Sequence, residues 1–190
     1  MASSSIVEIP ANQQIPIDLT MTKRIPGVTR GKLRVTDAHG NLVYQLDGRS
    51  ALSSPYKYKK ILVDSFGNPQ ISIVQNKDGG AWQGFRGDSC EKKDLIFRLE
   101  RTVHSRTRTE LEVLLVGQNW GDTPAMFKAQ GSPFHRSCTV YKGDSIVAQT
   151  SAMYKLGKSI VGRHKFRVTI YPGNDHALVV AVLVIFFGGS

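Results

Sequence analysis

The eleven residues Ala177 to Phe187 contain no polar side chain, and this run limits what the chain can fold into more than any other feature. A bilayer span needs roughly 20 apolar residues, so the run is too short to cross a membrane. It must be buried in protein. Tyr171-Pro-Gly-Asn-Asp-His supplies a turn before it, with Asn174 or Asp175 as a candidate helix cap, and Gly188-Gly189 follows it. Periodicity alone does not separate a buried helix from a buried strand, and the Val and Ile content favours strand. Length and capping signals favour a helix. A helix apolar on every side has to be surrounded, and a closed sheet can do that.

The rest of the chain supplies such a sheet. From Ile15 onward, apolar and polar residues alternate over short stretches punctuated by Gly, Asn and Asp. Leu33 to Thr36 and Leu42 to Leu46 flank the turn Asp37-Ala-His-Gly-Asn41, while Ile61 to Val63 and Gln70 to Val74 flank Asp64-Ser-Phe-Gly-Asn68. The shared wording Asp-x-x-Gly-Asn is hairpin chemistry: Gly reaches positive φ, and the Asp and Asn side chains bond the local backbone. Cys138 to Tyr141 and Ser145 to Gln149 flank Lys142-Gly-Asp144, and further strands are expected at Asp94 to Glu100, Thr109 to Val116 and Phe166 to Tyr171. Ten or more short strands at this spacing imply an all-β sandwich or barrel. At 190 residues and 41% hydrophobic content the chain suits one domain, residues 15–190, behind a polar, flexible lead-in at 1–14.

Charge narrows the partners. Twenty-five Lys and Arg against 15 Asp and Glu give a net charge of +10, which favours polyanions such as nucleic acid or anionic membrane. The excess is dispersed, with +4 over residues 1–100 (14 basic, 10 acidic) and +6 over 101–190 (11 basic, 5 acidic). Two stretches concentrate it. Tyr56-Lys57-Tyr-Lys59-Lys60 lies before the second hairpin with Arg49 nearby, and in Arg163-His-Lys-Phe-Arg-Val-Thr-Ile170 alternation puts Arg163, Lys165 and Arg167 on one face. Lys155 and Lys158 precede the second stretch, which is free of acid from Tyr154 to Arg167.

Catalytic and metal motifs fail their spacing tests. Leu156-Gly-Lys-Ser159 resembles the end of a phosphate-binding loop, but the first Gly that such a loop needs falls at Ala152. Arg86-Gly-Asp-Ser89 reads as a turn. The five histidines show no metal-ligand spacing, and His135 with Cys138 makes two ligands only. No Ser, His and Asp grouping suggests a triad. The expectation is a non-enzyme without metal or cofactor. Two cysteines are too few for a disulfide scaffold, and Met1 to Pro16 lacks a signal-peptide pattern, so a reduced cytoplasmic setting is expected.

The ordered set Ile15-Pro-Ile-Asp-Leu, Val35-Thr-Asp-Ala-His-Gly-Asn-Leu42, Trp82 with Phe85-Arg86-Gly87, Arg136-Ser-Cys-Thr-Val-Tyr141 with Ile146-Val-Ala-Gln149, and Val168-Thr-Ile-Tyr-Pro172 before the apolar run resembles the plant LURP-one-related family. The resemblance implies the fold shared with tubby and phospholipid scramblases, a closed twelve-stranded β-barrel around a central C-terminal helix. It also implies a link to plant pathogen defence and, by analogy with tubby domains, phosphoinositide binding at the membrane. Tubby-like domains hold that lipid with basic residues in about the same part of the barrel, so Arg49, Lys57, Lys59, Lys60, Arg163, Lys165 and Arg167 are carried over by region as candidate headgroup ligands. Scramblase activity is not expected to carry over, since the sequence as read stops at Ser190, directly after the apolar run, where the calcium and anchor features would follow. The expected molecule is a monomer that docks on anionic lipid at the plasma membrane and meets protein partners as yet unnamed. The alternative is a membrane-tethered transcription regulator that associates with nucleic acid in the nucleus.

Overall fold

The structure is a computed structural model that describes residues 15–23, 33–47, 56–77, 81–105, 107–120, 123–153 and 164–188, so the lead-in at 1–14 lies outside the described residues. Twelve strands form one sheet: β1 (Ile17–Lys23), β2 (Leu33–Thr36), β3 (Leu42–Asp47), β4 (Tyr56–Asp64), β5 (Pro69–Asn76), β6 (Trp82–Arg86), β7 (Leu95–His104), β8 (Thr109–Trp120), β9 (Thr123–Ser132), β10 (Ser137–Lys142), β11 (Ser145–Ala152) and β12 (Lys165–Ile170). Each strand pairs antiparallel with the next, and β1 pairs with β12 to close the barrel. Closure leaves no sheet edge for another chain to extend.

The helix α1 (His176–Gly188) runs through the middle, and every residue from Leu178 to Phe187 is buried. The apolar run is thus the axle of the barrel. Asp175 caps it, its Oδ1 accepting the Leu178 N–H at 3.0 Å, whereas Asn174 donates to the carbonyls of Tyr171 and Pro172 and holds the preceding turn. Inward-facing side chains of the strands, among them Leu19, Met21, Ile73, Phe97, Leu99, Val113, Phe166 and Val168, form one cluster with the helix.

The two Asp-x-x-Gly-Asn turns are built alike. Asp37 Oδ1 accepts N–H groups from His39 and Asn41, both at 2.8 Å, and Asp64 Oδ1 accepts those of Phe66 and Asn68, both at 2.9 Å. Gly40 and Gly67 both take φ +86°, where a side chain is disfavoured. Burial alone would raise both carboxyls, but the Asn side-chain amide and the backbone N–H groups outweigh it and hold them below the usual range.

The stretches that alternation marks sit on strands, and the structure adds β1, β6 and β9, of which β9 is the longest. Its inward residues are Ala125, Phe127 and Ala129, its outward ones Met126 and Lys128, so small Ala inside and Met outside blur the apolar-polar contrast.

A candidate anion-binding pole at the C-terminal end of the helix

An antiparallel barrel around one helix has two poles. The turns that carry Asp37 and Asp64 stand at the end where α1 begins, while β1 and β11 finish and β4 and β12 start at the end where it stops. At this second pole the wall turns cationic. Lys23, on the inward side of β1 after Leu19 and Met21, donates from Nζ to the carbonyl of Phe187 at 2.7 Å. Lys60, inward on β4, brings its ammonium within 3.7 Å of where a Cβ on Gly188 would stand. Arg136, in the turn between β9 and β10, places its guanidinium 5.9 Å from the centre of the Phe187 ring. Arg136 also holds the positive φ of 56°, the one such non-glycine residue among those described. Two strands and a turn, far apart in sequence, thus deliver three cations to the last turn of the helix.

Part of the reason is structural. Helix α1 has no basic residue in its own last turn, so its C-terminal carbonyls receive cations from the wall. A helix end carries only about half a negative charge, however, and the two ammonium groups of Lys23 and Lys60 already exceed it. The electrostatics register the excess: Lys23 is held below its ordinary pKa by burial, then by the charges of Arg136 and Lys60, and Lys60 is lowered by burial. Arg101, on β7, is lowered by burial as well.

The seven residues singled out in the sequence fall into separate places. Arg49 and Arg163 lie outside the described residues, as do Lys155 and Lys158. Lys57 and Lys59 do not share a role with Lys60. Lys57 is exposed, its ammonium 5.3 Å from the centre of the Tyr58 ring. Lys59 is paired with Asp88 at 2.9 Å, and although burial lowers its pKa, that hydrogen bond and the neighbouring Cys90 raise it on balance. It acts as a strap between β4 and the connection after β6. Lys60 alone of the three reaches the helix end. Lys165 and Arg167 are exposed on the outer face of β12 opposite Thr22 and Thr20, while Phe166 and Val168 between and beyond them are fully buried. Lys165 therefore stands on the rim and Arg167 further along the wall. Sequence reasoning did not select Lys23 or Arg136 as ligands. Nothing local marks Lys23, and Arg136 stands out only by its place in a motif.

The opposite pole carries a cleft of about 570 Å3 whose lining includes Tyr44, Gln70, Arg86, Asn174, Asp175 and His176. Burial, with the charges of Asp175 and Asp64, pushes the Tyr44 hydroxyl up to about 12, and burial lowers His176 toward the neutral imidazole despite Asp175. Arg86 is the one Lys or Arg among its described lining residues, so this cleft is not where the cationic excess gathers. Among the described residues no group of three His, Cys, Asp or Glu is placed to hold a metal ion, and no helix is long and apolar enough to cross a membrane.

The LURP-one-related family model matches residues 17–187. Protein LURP-one-related 7 of Arabidopsis thaliana is 43% identical over 178 residues, covering 93% of this chain and 92% of the relative. Protein LURP-one-related 15 of the same plant is 31% identical over 174 residues, covering 90% and 78%. Neither is named as an enzyme. An X-ray structure of an Arabidopsis thaliana protein superposes with a TM-score of 0.64 at 31% identity, covering 92% of this chain and 91% of that one. Matches that take in the whole barrel and its helical axle show that the chain belongs to the LURP-one-related family.

Proposed function

We propose that this protein is a non-catalytic module that docks reversibly on anionic membrane through the pole at the helix C-terminus, engaging phosphoinositide headgroups, and serves plant signalling in pathogen defence. The observation that carries the reading is the convergence of Lys23, Lys60 and Arg136 on one helix end, with Lys57 and Lys165 exposed on the same rim. Each Lys or Arg near an anionic bilayer contributes about 1 kcal/mol, so a handful acting together suffice for reversible attachment. The phosphate groups of the headgroup would meet ammonium and guanidinium donors already partly stripped of water, where charge-assisted hydrogen bonds are strongest.

The full chain is expected to co-sediment with phosphatidylcholine vesicles containing a phosphoinositide at physiological salt, about 0.15 M, and not with phosphatidylcholine alone. Absence of such binding, together with a DNA titration showing a steep salt slope, would move the assignment to nucleic acid.

Lys60→Met gives a sharper test, because it separates ligand binding from folding. A lysine whose folded pKa is depressed contributes stability only as pH rises toward its unfolded value near 10.4, and at neutral pH its charge is a burden on the fold. Removing that charge while keeping an unbranched stem should leave the melting temperature unchanged or raised at pH 7, with the gap to the wild type closing at alkaline pH. Vesicle binding should fall roughly fivefold, as expected for about 1 kcal/mol. A destabilised variant that binds vesicles as well as the wild type would show that Lys60 serves the fold alone.

A further inference from the structure

Resting on that docking reading, we infer that Phe134, at the tip of the turn between β9 and β10, is an apolar anchor that enters the bilayer surface when the cationic pole docks. Phe134 keeps 49% of its surface exposed, and its ring packs against the edge of the His135 ring at 5.1 Å and 90°. The turn beneath it is fixed. Arg136 N–H donates to the Pro133 carbonyl at 3.3 Å, His135 N–H to Ser132 Oγ at 3.4 Å, and the Arg136 carbonyl accepts from Thr150 Oγ1 at 2.9 Å. The aromatic side chain is therefore presented on a rigid base, two residues from a guanidinium that sits over the end of the helix.

Across the rim, Tyr58 on β4 is also 40% exposed, stacked on Trp82 at 6.2 Å with Lys57 over its own ring. Exposed aromatics beside cations suit the interface between headgroups and acyl chains, where the ring leaves water and the charges remain among phosphates. The opposite pole supplies an internal comparison. Phe66 is more exposed, at 67%, but it tips a turn whose Asp64 carboxylate stays ionised, a charge that anionic lipid repels. Exposure alone does not make an anchor; exposure on the cationic pole does.

The test uses the full chain and vesicles of phosphatidylcholine with a phosphoinositide. Phe134→Ala should lower the partition coefficient by about tenfold, the loss expected for removing most of one aromatic side chain from an interface, while the slope of binding against salt stays unchanged. Phe134→Leu should restore most of the binding, and Phe66→Ala should have no effect. In a second arm, Phe134→Trp should gain emission that brominated acyl chains quench beyond the signal of the native tryptophans, whereas Phe66→Trp should not. Binding by the wild type with no quenching at position 134 and no effect of Phe134→Ala overturns the inference and leaves electrostatic docking intact. A complete lack of wild-type binding overturns both. A wild-type dimer in solution that Phe134→Ala dissociates would assign the residue to self-association instead.

Discussion

Val182→Asp is expected to leave a chain with no cooperative melting transition. Val182 is fully buried in the middle of α1, among residues that are buried on every side of the helix. A carboxylate there has neither partner nor water, and an unpaired buried charge costs several kcal/mol, a large part of the roughly 5–15 kcal/mol that holds a domain together. Because each strand packs its inward face on the helix or on its neighbours around it, the damage spreads to the entire barrel rather than to one element. Near-UV circular dichroism during heating would show it, with Val182→Ala as the comparison: that variant leaves a small void, should cost about 1–3 kcal/mol and should still melt cooperatively. Ending the chain at Asp175 should have the same outcome as the charge, yielding insoluble or molten material. A soluble, sharply melting protein from either Val182→Asp or the truncation would mean that the sheet closes without its axle.

Gly84→Ala is expected to destabilise the barrel strongly although it adds a single methyl group. A Cβ on Gly84 would stand 2.1 Å from Cε1 and 2.4 Å from Cζ of Phe97, its cross-strand partner on β7. Phe97 has no exposed surface and cannot swing into solvent. The methyl must displace a ring held on all sides by the core, so the cost should reach the upper end of the roughly 1–3 kcal/mol seen for overpacking, lowering the melting temperature by several degrees in a domain of this size. Phe97→Leu is the diagnostic partner. Alone it leaves a void and destabilises; combined with Gly84→Ala it should recover part of the loss, giving a coupling energy of about 0.5–3 kcal/mol between the two sites. Additive effects, or a Gly84→Ala protein that melts with the wild type, would show that β6 and β7 are not packed this closely in solution.

Both predictions depend on how much of the molecule was written locally. The axle was legible because eleven consecutive apolar residues have few places to go, and Asp175 and Gly188 mark its ends by capping chemistry. The Asp37 and Asp64 turns were legible for the same reason: a carboxylate that bonds the N–H groups two and four residues on is a local event. Alternation alone allows a sandwich or a barrel; the apolar run pointed to a closed sheet around it, and the resemblance supplied the twelve strands and settled that the run is helix rather than strand. β9 escaped because Ala125 and Ala129 carry little hydrophobic signal, although both are fully buried once the helix is beside them.

The candidate site divides along the same line. Alternation correctly sets Lys165 and Arg167 against Phe166 and Val168, because a period of two is a property of one strand. It could not reveal that Lys59 and Lys60, adjacent in sequence, part company, one to Asp88 on the connection after β6 and the other to the end of α1. Nor could it bring Lys23, Lys60 and Arg136 together, since their meeting point is the carbonyl end of a helix that begins 153 residues after Lys23. By itself the sequence determined most of the strands, the turns, the buried axle and the sign of the charge, all of which depend on residues within a few positions of one another. Only the tertiary structure decided where that charge is concentrated, because closing the barrel selects which strand ends share a pole, and burial at that pole strips water from the cations gathered there.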